Sequence, residues 1–181
     1  MDALVTVSLW MIIPAIVLGT LLHFLYDWSK HHRLAAIVSA VNESYWEHIK
    51  IAVWPVALLH MVLYAIGGYQ YPAFIPASTL ALYSLPISMV GLVFLYKSVT
   101  KRNVLWIDIA AFGLIIVLAQ VIFIEVLQQL DPSRVFVGLS GAYLLGLLAA
   151  FLTFTLRPPS EPDVFIDPIT KGYGTEGHPD L

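Results

Sequence analysis

Five long apolar segments restrict this chain to a narrow set of folds. A helix needs roughly 17–25 predominantly apolar residues to cross the hydrocarbon core of a bilayer. Backbone polar groups find no water there, so a segment of this length must satisfy them internally as a helix. The sequence therefore predicts an all-α integral membrane bundle of five transmembrane helices. The predicted spans are residues 4–26, 49–66, 77–96, 104–127 and 135–156.

The composition agrees with a membrane-embedded chain and excludes several kinds of function. The 181 residues are 59% hydrophobic and only 12% charged, whereas about a quarter of the residues in a soluble domain are charged. A net charge of −3 argues against a nucleic-acid partner. The absence of cysteine excludes disulfides and thiolate catalysis. The N-terminus lacks the basic region and cleavage site of a signal peptide, so we expect a retained first span.

The basic residues predict the orientation of the bundle. One end of the predicted helices carries eight Lys and Arg residues, and the other end carries only Arg134. Because Lys- and Arg-rich loops stay in the cytoplasm, we expect the N-terminus outside and the C-terminus cytoplasmic. Residues 1–156 would form the bundle, and residues 157–181 would form a cytoplasmic tail rich in Pro and Gly. Membrane lipids are the expected partners, and a homo-oligomer or a partner in a membrane complex stays open.

The segment NESYWEHIK, residues 42–50, concentrates ionisable side chains where the second predicted helix begins. Ser44 and Glu47 have the spacing of a capping box, in which each side chain binds a backbone N–H of the first turn. Glu43 and Glu47 are four residues apart and would share a helix face, with His48 on a neighbouring face. Capping therefore explains Ser44 and Glu47 but leaves Glu43 and His48 without a role.

A matching pair, His23 and Asp27, lies on the preceding predicted span at the same depth. Helices joined by a short connection pack against each other, so this pair and the NESYWEHIK segment are predicted to converge on one pocket. Asp108 on the fourth span is a candidate third wall. Ionisable groups within a membrane cost roughly 2.5–3.5 kcal/mol each, and they usually pair or face a functional cavity.

Two interpretations of this pocket stay open. Imidazoles and carboxylates at i,i+4 spacing on two helices are suited to hold a divalent metal ion, although the spacing is not a closed metal-binding motif. A hydrogen-bonded and salt-bridged clamp between helices is the alternative. Glu43 and Glu47 are the candidate catalytic residues. The candidate metal ligands are His23, Asp27, Glu43, Glu47 and His48, with His178 as a further candidate from the tail.

Three other features receive expectations of their own. His60, near the middle of the second span, is expected to be a helix–helix hydrogen-bond partner. His31 and His32 lie among basic residues and are predicted to belong to a wet loop near anionic headgroups. The tail alternates hydrophobic anchors with turn residues. A docked tail would bring Asp167 or His178 over the pocket, and a tail that merely lies on the surface is the alternative.

Three short motifs give the chain a family resemblance. They are HFLYDW, then VNESYWEHIK followed by an apolar span with WP, and a terminal FxDPxTxxYG. Together these motifs resemble an uncharacterised family of small prokaryotic polytopic membrane proteins, a domain of unknown function. The resemblance implies a location in the inner membrane of a prokaryote. It brings no activity, substrate or cofactor with it.

Three classes of function compete at this point. A metal-dependent membrane enzyme acting on a lipid or other amphiphile would use the pocket to hold metal and activate water. A structural or assembly subunit would use the same side chains as a clamp. A small solute or proton-coupled transporter would need polar groups across the whole bilayer, continuing through His60 and Glu125. The one-sided polar distribution and the lack of an apparent repeat argue against the transporter.

Overall fold

The computed structural model describes residues 3–102, 104–159 and 163–178. Within these residues the chain is helical and contains five helical segments long and apolar enough to cross a membrane. The prediction of an all-α chain with five such helices is therefore confirmed. The orientation stays a prediction from the loop charges. The five segments are Ala3–Trp28, Tyr45–Ala65, Phe74–Thr100, Leu105–Gln129 and Arg134–Leu156.

The first span consists of two helices, α1 (Ala3–Trp10) and α2 (Ile12–Trp28), which meet at Met11. Pro14 causes the interruption because its nitrogen has no hydrogen to donate to the carbonyl of Trp10 four residues earlier. Backbone hydrogen bonds on both sides of Met11 keep the chain helical through the break. The proline therefore interrupts the span without ending it.

The connection from the first span to the second contains a single-turn helix, α3 (Arg33–Ala36), and leads into α4 (Tyr45–Ala65). The hydroxyl oxygen of Ser44 accepts a hydrogen bond of 3.4 Å from the N–H of Glu47. This cap starts α4 at Tyr45, four residues before the first residue of the predicted apolar span, Ile49. One half of the predicted capping box is thus present, and it fixes the helical phase of the residues that follow.

The three remaining spans complete the bundle. They are α5 (Phe74–Thr100), α6 (Leu105–Gln129) and α7 (Arg134–Leu156). The second span is the most deeply buried of the five, and its Ala52, Val53 and Leu63 are fully enclosed. α4 contacts α2 on one side and α5 on another, so side chains near its N-terminal end meet those near the end of α2.

The C-terminal segment folds back onto one end of the bundle. Two short 3-10 helices, Asp163–Phe165 and Gly174–Gly177, flank a tight turn. The ring of Phe165 packs against the indole of Trp46 on α4, with centroids 4.8 Å apart. We call residues 163–178 the docked tail and the end of the bundle that carries them the tail end. The NESYWEHIK segment lies at this end.

Candidate metal site

Two imidazoles and a carboxylate form a first cluster at the tail end. His23 lies on α2, Glu43 precedes α4, and His48 lies in the first turn of α4. The Nε2 atom of His23 is 3.7 Å from Oε1 of Glu43, and the Nε2 atom of His48 is 3.7 Å from Oε2. Each residue offers one ligand atom, and these atoms lie within 4.8 Å of one another. The side chains are partly exposed, so water has access to them.

Glu43 lies between the two rings of the first cluster. The facing imidazole of His23 is the main reason that the pKa of the Glu43 carboxyl lies below its ordinary value. Burial acts in the opposite direction, and the positive charge of His48, when present, adds to the lowering. The carboxylate is therefore the ionised, electron-donating member of the cluster at neutral pH.

Asp27, His31 and His178 form a second cluster beside the first. Asp27 follows His23 by one helical turn on α2, His31 lies just beyond the end of that helix, and His178 belongs to the docked tail. The Nε2 atom of His178 is 2.8 Å from Oδ1 of Asp27, and the Nε2 atom of His31 is 3.7 Å from the same oxygen. These ligand atoms also lie within 4.8 Å of one another.

Glu47 does not join either cluster, although the sequence analysis named it as a candidate ligand and catalytic residue. Its Oε2 atom is 2.5 Å from Nζ of Lys50 and accepts the N–H of Val41 at 2.9 Å. Lys50 is fully buried and also donates to the carbonyl of Ala36 at 2.8 Å. The expected shared face of Glu43 and Glu47 is absent because Glu43 precedes the first residue of α4 and does not follow its helical phase.

The remaining polar candidates are placed as follows. Asp108, the predicted third wall, belongs to neither cluster, and its Oδ1 atom accepts a hydrogen bond of 2.5 Å from the hydroxyl of Tyr96 on α5. His60 faces Gln120 on α6, with Nε2 and Oε1 3.4 Å apart, as expected of a helix–helix partner. His32 caps α3, because its Nδ1 atom accepts the N–H of Leu34 at 3.2 Å.

His31 is the candidate ligand that the sequence analysis missed. Lys30 and His31 adopt left-handed backbone angles, with φ of 55° and 60°. This turn brings the His31 ring back over the end of α2, where its centroid lies 5.0 Å from that of Tyr26. The basic neighbours suggested a solvated loop, and the one contrary signal in the sequence was the four-residue spacing from Asp27.

The docked tail is held by the NESYWEHIK segment, so the alternative of a tail resting loosely on the surface does not apply to the described residues. The Oδ2 atom of Asp167 accepts the N–H of Glu43 at 2.8 Å, and the Asp167 side chain is fully buried. The side-chain amide of Asn42 donates to the carbonyl of Gly174 at 3.0 Å. Two of the three motifs behind the family resemblance therefore contact each other directly, and that contact positions Glu43.

The fold and the site together define a class of protein: a polytopic α-helical membrane protein with His and carboxylate clusters at one end. The chain belongs to a family of unknown function, DUF6512, whose family model matches residues 2–175. No match was found among curated proteins or among solved structures. The family has no assigned function.

Proposed function

We propose that this protein is a metal-dependent membrane enzyme that holds a divalent ion with His23, Glu43 and His48. Ligand atoms about 2.0–2.2 Å from a tetrahedral ion lie roughly 3.3–3.6 Å from one another. In this cluster each imidazole Nε2 lies 3.7 Å from a different oxygen of Glu43, and one ligand atom from each residue falls within 4.8 Å of the others. Two imidazoles and one carboxylate leave a coordination position for water or substrate. Catalytic zinc sites typically have such an open position, whereas structural sites are closed by four protein ligands.

The hydrogen bond between the His48 ring and the carbonyl of Ser44 is the observation that carries the proposal. The Nδ1 atom of His48 lies 2.9 Å from the carbonyl oxygen of Ser44, and a carbonyl only accepts, so Nδ1 carries a proton. In the neutral ring, Nε2 therefore presents a lone pair to the Glu43 carboxylate 3.7 Å away. Two electron-rich groups in this position repel each other unless a proton on Nε2 or a metal cation lies between them. A metal ion supplies that cation, and a backbone hydrogen bond at the other ring nitrogen is the usual support of a His ligand.

The position of the cluster suggests the class of substrate. A divalent ion lowers the pKa of a coordinated water to about 7, which supplies a nucleophile for hydrolysis at neutral pH. The cluster lies where α2 ends and α4 begins, beside long apolar segments. A lipid or other amphiphile lying in the bilayer would present its polar ester or phosphoester group at this level. Hydrolysis would add the elements of water across that bond, with the proton going to the leaving oxygen.

A structural or assembly subunit is the second candidate, and the docked tail favours it. The hydrogen bonds of Asp167 and Asn42 fasten the tail without any ion. Under this alternative the His and carboxylate clusters would be clamps held by hydrogen bonds and ion pairs. The transporter hypothesis has less support, because the mid-span His60 is paired with Gln120 and Glu125 with Gln129.

Metal content distinguishes the enzyme from the clamp. The full chain would be purified in detergent without a polyhistidine tag, loaded with Zn²⁺, desalted and assayed by elemental analysis. We expect stoichiometric metal in the wild type and one ion fewer in His23→Ala and His48→Ala. His32→Ala is the matched control, because His32 caps α3 outside both clusters. A wild type that retains no metal would overturn the proposal and leave the clamp.

Catalysis needs a separate measurement. Release of product from 4-nitrophenyl butyrate and from a fluorogenic phospholipid in mixed vesicles would be followed with and without a chelator. Turnover that a chelator abolishes, that Zn²⁺ restores and that His48→Ala lacks would support the enzyme. Stoichiometric metal with no turnover of either probe would restrict the proposal to metal binding.

A further inference from the structure

The second cluster draws its three members from separate parts of the chain. Asp27 lies on α2, His31 follows the end of that helix, and His178 is 151 residues away from Asp27 in the docked tail. Both imidazoles direct Nε2 at one carboxylate oxygen, at 2.8 Å and 3.7 Å. These separations bracket the roughly 3.3–3.6 Å expected between ligands on one tetrahedral ion.

We propose that Asp27, His31 and His178 form a second divalent metal site, and that the bound ion locks the docked tail onto the bundle. The ligand types suit a zinc-class ion, because imidazole nitrogen and carboxylate oxygen are both common zinc ligands. This site shares no ligand with the first cluster, so it goes beyond the proposed function and does not depend on it.

Hydrogen bonding alone does not explain the position of His31. Its Nε2 atom is 3.7 Å from Asp27, which is too long for a hydrogen bond. The ring nevertheless points at the oxygen that already binds His178, and the two imidazole centroids are only 4.5 Å apart. A cation shared by all three groups accounts for this convergence, since it binds each of them directly.

The backbone before the second cluster adopts a strained turn that places His31 at the site. Lys30 and His31 are two consecutive non-glycine residues in the left-handed region, which is strained for a residue with a Cβ atom. This strained turn is the one that places His31 beside Asp27 and His178.

His178 is positioned by close packing of the docked tail. A Cβ atom added to Gly177 would lie 2.9 Å from the carbonyl carbon of Gly172 and 3.3 Å from the side-chain amide of Asn42. The backbone N–H of His178 donates to the carbonyl of Thr175 at 3.3 Å. The side chain that results is buried against the bundle, with its ring 5.3 Å from that of Tyr26.

A metal ion at this site would couple two equilibria. An ion that binds His178 together with Asp27 and His31 binds the docked form of the tail better than the undocked form. By linkage, metal must then strengthen tail docking by the same factor as docking strengthens metal binding. Removal of the ion should therefore loosen the tail while the bundle stays folded.

Zinc stoichiometry and tail protection test this proposal together. Metal-free full-length protein in detergent would be titrated with Zn²⁺, and hydrogen exchange of residues 163–178 would be measured by mass spectrometry with Zn²⁺ or with a chelator. We expect two ions per chain, one for each cluster, and at least tenfold slower exchange of the tail amides with Zn²⁺. His31→Ala should bind one ion fewer and lose the zinc-dependent protection.

Variants separate this site from the first one. His31→Ala removes a ligand and leaves the hydrogen bonds of Asp167 and Asn42 that fasten the tail. His178→Ala should give the same loss of one ion. His48→Ala should lose its one ion elsewhere and keep zinc-dependent tail protection, and His32→Ala should keep both properties. The second site would be overturned if His31→Ala and His178→Ala each bound as much zinc as the wild type. It would also be overturned if zinc did not change the hydrogen-exchange rate of the tail in the wild type. Loss of an ion in His31→Ala but not in His48→Ala would instead overturn the first site alone.

Discussion

The buried carboxylate of Asp167 accepts the backbone N–H of Glu43 across 124 residues of sequence. The same side chain accepts the N–H groups of Ile169 and Thr170 at 2.6 Å and 2.8 Å. One carboxylate therefore shapes the turn of the docked tail and fixes the residue that separates two imidazoles. Tail docking and the geometry of the first cluster are joined at this point.

Asp167→Ala should release the tail and weaken the first cluster. The change leaves three partly buried backbone N–H groups without their acceptor. The cost of about 1–3 kcal/mol for a fully buried unsatisfied donor is an upper bound for each of them. We expect tail amides to exchange at least tenfold faster and Zn²⁺ affinity at the first cluster to fall, because Glu43 loses its anchor. Hydrogen exchange and zinc titration measure the two effects. Asp163→Asn, an exposed change in the same tail, is the control, and equal effects of both variants would contradict this role.

Glu47→Gln should destabilise the fold without removing metal. The change leaves Lys50 as an uncompensated charge at a fully buried position, at a cost of about 3–5 kcal/mol. Thermal unfolding in detergent should show a marked drop in Tm, and the double variant Glu47→Met with Lys50→Met should recover much of it. Glu43→Gln should show the opposite pattern, with metal lost and a smaller change in Tm. Loss of metal from Glu47→Gln at unchanged Tm would restore Glu47 as a ligand.

Gly19→Ala should separate α2 from α4 and disturb the first cluster one turn away. A Cβ atom at position 19 would lie 2.7 Å from the backbone oxygen of Ile51 and 2.6 Å from the ring of Phe112. Overpacking of this kind costs typically about 1–3 kcal/mol, and it moves His23 relative to Glu43. Tm and zinc affinity should both fall.

The control for this packing prediction is Gly138→Ala on α7, where an added Cβ meets nothing within 4 Å. Alanine there should stabilise the helix by about 0.5–1 kcal/mol, because glycine has the lower helix propensity. If both alanine variants leave zinc affinity unchanged, close approach at Gly19 does not position His23.

The orientation prediction rests on eight basic residues at one end against Arg134 at the other. A reporter fused after Leu181 should be active in the cytoplasm, and a reporter fused at Pro72 should be active outside. Paired alkaline phosphatase and fluorescent-protein fusions measure both positions. The reverse pattern at both fusions would show the opposite orientation, with the two clusters at the outer face of the membrane.

Local properties of the sequence were sufficient for the helical architecture. A span is defined by the length and apolarity of a continuous segment, so five candidate spans were visible before any contact was known. The cap of α4 by Ser44 is equally local, because donor and acceptor are three residues apart. The pairing of His23 with the NESYWEHIK segment followed from the short connection between the two spans.

Only the tertiary structure decided which side chains share a cluster. Glu43 and Glu47 look alike in sequence, yet α4 begins between them, so Glu43 turns to His23 and Glu47 is buried against Lys50. His31 joins Asp27 through a left-handed turn that composition does not reveal. His178, near the C-terminus, lies beside Asp27 because burial of Phe165 and Asp167 docks the tail on the bundle. Ligand geometry depends on helix phase and long-range packing, and neither is a property of a short stretch of sequence.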